Sequence, residues 1–241
     1  MEEIDLALFT GVDIPIPECQ LIIHQPTIKE ISMVGEKKFL FGIQTLCVDR
    51  DELANRDKID LSNTSNFQIF MTMMKADEMK DHKENVKIAL SLIVPNSQVI
   101  FTPRSLLLNL NGQSSMIDEG NFDIFQKTLR QVFCLTKKAE EFNPVNDAAK
   151  RIAEKIKKGR ERVAALKGDT TGSIYARQIS ILSVGLKIPP HVLNGYTMYQ
   201  ISDLSERYNL WLNWNLDIRS RLAGAKGDSK PEDWMRNIHT N

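Results

Sequence analysis

Two stretches between Asn143 and Leu222 carry apolar or small residues at alternating steps of four and three, and few structures other than packed helices satisfy that spacing. In the first they fall at Val145, Ala149, Ile152, Ile156, Gly159, Val163 and Leu166. In the second the seam is Ile201, Leu204, Tyr208, Trp211, Asn215, Ile218 and Leu222, with Asn215 its polar member. Such a seam is two residues wide per heptad, which suits narrow contact with one or two partner helices. Asn143-Pro144 supplies an N-cap with proline at the first helical position, and Gly168 supplies a stop. Ser173 to Leu186 predicts a further helix, ended by Gly185 and Pro189-Pro190, and Thr197 opens the last one. The region 143–224 therefore reads as a helical bundle or arm. A link of small and polar residues follows, and 225–241 ends in a short hook over Pro231 to Ile238.

The region 1–142 has a different texture. Residues 1–18, with Gly11, Pro15 and Pro17, read as an extended lead-in, and Cys19 to His24 as a short strand. Thr27 followed by Glu30 is a capping box, which opens a helix running to about Cys47 with a break at Gly35. Asp49 to Asn66 is polar and turn-like. Phe67–Met74 and His82–Val94 are helical, and the methionines there read as core filler. Val99-Ile100-Phe101 and Leu106–Leu110 predict strands, with a hairpin turn at Asn111-Gly112, where positive φ is required. Asn121–Phe133 predicts a helix. The expected fold class is α+β and predominantly helical: N-terminal helices with a small antiparallel sheet, then the C-terminal bundle or arm.

Charge is distributed unevenly. The chain of 241 residues is formally neutral, yet residues 1–142 carry a balance of −6 and residues 143–241 one of +6. Complementary surfaces, within one molecule or between copies, are one consequence of such a split. The basic excess is concentrated in Lys150, Arg151, Lys155, Lys157, Lys158, Arg160, Arg162 and Lys167. This face could follow phosphates, but it has no interleaved aromatic residues for base stacking. A solvated face or a protein contact is the favoured reading.

The sequence offers little for catalysis. No glycine-rich phosphate loop, HExxH or GxSxG is present. His24, His82, His191 and His239 stand apart, and Cys19, Cys47 and Cys134 have no paired spacing. No catalytic residue, cofactor site or metal site is expected. The acidic opening lacks the basic and apolar regions of a signal peptide, and no apolar run is long enough to cross a membrane. All three tryptophans, Trp211, Trp214 and Trp234, lie in the last forty-odd residues, and the chain ends in Asp233-Trp234-Met235-Arg236-Asn237-Ile238-His239. Large apolar side chains so near a terminus must close a core or anchor another chain. Trp211, Trp214, Trp234, Met235 and Ile238 are therefore the candidate partner-binding residues.

The runs NPVNDAAKRIAEKIKKGRERVAALKG, SIYARQISILSVGL and MYQISDLSERYNLWLNWNLDIRSRLAGAKGDSKPEDWMRNIH resemble virion and tail-morphogenesis proteins of tailed bacteriophages. They are most like the tail assembly chaperone type, with its terminal LAG…DWM-(K/R)-NIH pattern. Thr27-Ile28-Lys29-Glu30-Ile31, with Gly35-Glu36-Lys37-Lys38 after it, is similar to the opening of such chaperones. The resemblance covers roughly residues 143–239 and carries over no site residue. It implies non-enzymatic work in the host cytoplasm or the virion, binding other tail or neck proteins, with self-association as a further partner. A neck, ring or baseplate subunit is the alternative within that setting. A nucleic-acid-binding accessory protein is the alternative outside it.

Overall fold

The computed structural model describes residues 2–110, 112–135, 172–224, 233–236 and 238. Among them are ten α-helices and two small antiparallel sheets, a predominantly helical α+β fold. The chain opens with α1 (Glu2–Thr10), β1 (Ile14–Ile16) and β2 (Leu21–Ile23). It continues through α2 (Ile28–Val34), α3 (Glu36–Leu46), α4 (Arg50–Asp57), α5 (Asn66–Lys75) and α6 (Lys80–Ile93). A meander of β3 (Gln98–Phe101), β4 (Leu106–Leu110) and β5 (Gln113–Ile117) leads into α7 (Phe122–Val132). After the undescribed stretch come α8 (Ile174–Leu186), α9 (Pro190–Leu193) and α10 (Met198–Leu222).

Local chemistry explains most element ends. Thr27, Ser65 and Thr197 each form a full capping box, with Glu30, Gln68 and Gln200 respectively, so the first orphan amides of α2, α5 and α10 are satisfied reciprocally. Gly35 takes φ 97 and separates α2 from α3, the break that its position in the sequence suggests. The β4–β5 hairpin pairs Leu110 with Gln113 across the turn, with Gly112 at φ 84.

Two segments of the N-terminal part differ from the sequence expectation. The lead-in is not extended throughout: residues 2–10 are helical, and Ile14–Ile16 pairs with Leu21–Ile23. Leu8 is buried, and the buried Gln25 carboxamide donates to the carbonyls of Ala7 and Val12, so contacts distant in sequence hold α1. The polar stretch after Asp49 contains α4, which buries no residue and so shows no apolar period. Its warrant is the Asp49 side chain, which accepts from the amides of Asp51 and Glu52.

Buried apolar residues form one continuous cluster from Leu8 to Ile201. Its aromatic centre is Phe67, Phe70, Phe122 and Phe125, and Phe39 meets Phe133 edge-on at 5.5 Å. Helices α3 and α6 cross at Gly42, where a Cβ would collide with the Asn85 carbonyl and the Ala89 methyl. Tyr175, Ile179, Leu182, Leu193, Met198, Tyr199 and Ile201 join the same cluster, so the described C-terminal helices are packed onto the N-terminal part. The expected boundaries near 143 and 225 fall outside the described residues.

Candidate protein-binding site

Helix α10 is anchored at its start and less buried beyond Leu210. At the start, Thr27 and Thr197 form an isolated β-bridge, the Ile28 amide donates to the Tyr196 carbonyl at 2.9 Å, and Gln200 Nε2 donates to the Phe9 carbonyl at 2.7 Å. Along the seam, Ile201 is fully buried, and Leu204 and Tyr208 pack against the core. Trp211 is 38% exposed and Leu222 83% exposed. The seam thus serves two environments: its first half faces this chain's core, and Trp211 and Leu222 beyond it are accessible to solvent.

Helix α8 lies beside it. Ser173 caps its first turn, and the Glu36 carboxylate accepts from the amides of Ile174, at 2.9 Å, and Tyr175, which ties α8 to the start of α3. Gly185, expected as a helix stop, is inside the helix; the chain leaves after Leu186 through Lys187, at φ 57. The glycine is needed for another reason. A Cβ there would collide with the Tyr208 ring, so that ring lies against bare α8 backbone. Tyr208 stacks on Trp211, with ring centroids 6.0 Å apart and planes 27° from parallel.

The C-terminal hook returns to this place. Asp233 Oδ1 accepts from the Met235 amide at 2.9 Å and the Asp233 carbonyl from the Arg236 amide, a tight turn. Arg207 Nη1 donates to the carbonyls of Trp234, at 2.9 Å, and Arg236, at 2.8 Å. Trp234, Trp211, Tyr208 and Gly185 line a cavity of about 390 Å³.

Of the candidate residues, the structure therefore brings Trp211 and Trp234 to one cleft. Trp214 is half-buried and does not line it, Ile238 is half-buried, and Met235 is exposed. The basic face Lys150–Lys167 lies outside the described residues. Comparison of the chain with protein-family models, curated proteins and solved structures finds no match.

Sequence reading missed Arg207, Tyr208 and Gly185 as site residues. Tyr208 is visible as a seam position; Arg207 and Gly185 carry no sequence signal, because each acts across a gap between segments distant in the chain.

The rest of the described surface supplies no alternative chemical centre of comparable definition. No cluster of metal-ligating side chains occurs among the described residues. Burial pushes the Cys47 thiol up to about 12 and the Cys19 and Cys134 thiols up to about 11, so all three stay protonated and poorly nucleophilic near neutrality. Burial likewise raises the Tyr175 and Tyr199 phenols above their ordinary value. A second cleft, of about 680 Å³, lies between the Gly35 junction and the start of α8, and the Glu36 carboxylate already meets the helix terminus there.

Proposed function

We propose that this chain works without catalysis, by binding other structural proteins during assembly of a bacteriophage tail, as a tail assembly chaperone. The observation that carries the reading is the apolar surface of the C-terminal helices. Ile174, Ile181 and Val184 on α8 are exposed, as are Trp211, Leu212, Leu216 and Leu222 on α10. An apolar surface of this kind marks an interaction site more readily than a catalytic one. A chaperone for a long coiled-coil protein such as a tail tape measure needs apolar seams that can cover its client's own. The resemblance of residues 143–239 to phage morphogenesis proteins supplies the setting.

Co-expression with the tape-measure protein of the same genome tests this. The soluble fraction of the tape measure should rise several-fold and the two proteins should co-purify. An unchanged soluble fraction overturns the chaperone role. Stoichiometric presence of the chain in purified virions also overturns it, in favour of a neck, ring or baseplate subunit.

A further inference from the structure

The cleft between α8 and α10 holds a piece of this same chain by a mode of contact that ignores most of that piece's side chains. Arg207 takes two main-chain carbonyls, Trp234 O and Arg236 O, through one guanidinium nitrogen. Charge-assisted bonds to carbonyls are strong but indifferent to residue type. Selectivity must come from the lining, which is aromatic: Tyr208 and Trp211 are stacked, and Gly185 leaves room for the Tyr208 ring. Trp234 is the hook residue that lines this cavity, while its neighbour Met235 is 70% exposed. The seated hook is a turn, in which Asp233 accepts from two amides.

We infer that the α8–α10 cleft is a peptide-binding site for a turned segment presenting one tryptophan and two accessible main-chain carbonyls. The C-terminal hook, Asp233–Arg236, is the ligand seated against it in cis, with Trp234 as one wall of the cavity. Only residues 223–232 separate the hook from the end of α10. A tether that short holds a ligand at an effective concentration of roughly millimolar. The hook therefore needs little intrinsic affinity to stay seated, and an outside segment of like chemistry must displace it. Loss of Trp234 removes the selective contact and opens the cleft to competitors.

The test uses the full chain and a fluorescein-labelled peptide with the sequence of residues 231–241, followed by fluorescence anisotropy. The peptide should bind the Trp234→Ala chain at least about tenfold more tightly than the wild-type chain, whose cleft is occupied. Adding Arg207→Ala to that chain should abolish binding, and so should replacing tryptophan by alanine in the peptide. The peptide variant keeps the test decisive if the double variant is poorly folded. Equal binding to wild-type and Trp234→Ala chains, or no binding up to about a millimolar, overturns the assignment. The inference does not rest on the phage reading: the peptide assay contains no phage partner, and the co-expression assay does not depend on the hook.

Discussion

Gly42 and Glu30 show how much a single residue can decide here. In an exposed helix, glycine to alanine would add about 1 kcal/mol of stability. At Gly42 the added methyl meets the Asn85 carbonyl, which is main chain and cannot rotate away. Overpacking of that kind costs about 1–3 kcal/mol, so the clash outweighs the propensity gain. Gly42→Ala should lower the melting temperature, as read by circular dichroism. Glu30 acts through charge. Burial works to raise its carboxyl, but bonds from the Thr27 amide and hydroxyl, each 2.7 Å long, and the adjacent His24 outweigh burial and hold it below its ordinary value. A depressed carboxyl contributes stability that is present above the unfolded-state value, about 4.3, and lost as pH falls through the folded one. Amide protection in the first turn of α2 should therefore drop on acidification in the wild type, and Glu30→Gln should flatten that dependence. An unchanged acid profile in the variant would count against the capping role.

At the scale of elements, helix starts are the most legible feature and helix partners the least. The Thr27 box was readable because a hydroxyl and a carboxylate three residues apart satisfy each other locally. The Thr197 box follows the same rule, yet Thr197 also bridges to Thr27, a contact no local pattern reveals. Thr197→Ala should cost about 1 kcal/mol through loss of the cap alone. A chemical-denaturation midpoint would show it, and a loss within error of zero would mean that Gln200 and the bridge suffice. The seam of α10 was readable as a period, but the period does not say what each half of it meets. Ile201, Leu204 and Tyr208 face this chain's core, whereas Trp211 and Leu222 are exposed. Helix α4 was illegible because it buries nothing and is defined by its Asp49 cap.

For the whole molecule, the consequence is a division between a continuous core and a C-terminal surface that is only partly covered. Among the described residues, the core cluster ends at Ile201 and contains none of the hook. Trp234→Ala should therefore cost about 1 kcal/mol in global unfolding, well short of the 3–5 kcal/mol typical of a deleted core aromatic. Thermal melts of the full chain check this; a loss above about 3 kcal/mol would place the indole in the stability of the fold. The same geometry explains why the closing tryptophans do not act as one unit. Trp211 belongs to the α10 seam and Trp234 to a turn that Arg207 holds against it.

The sequence by itself determined the fold class, most helix and strand positions, and the accumulation of large apolar side chains near the C-terminus. These follow from periodicity, capping and turn chemistry, which act over a few residues. Tertiary structure alone decided that α1 docks through Gln25, that α3 and α6 meet at Gly42, and that Arg207, Tyr208 and Gly185 line a cleft together with Trp234 of the returning hook. Each of these depends on atoms brought together from distant positions. No local pattern encodes a close approach between two backbones, or the carbonyl that a guanidinium will find.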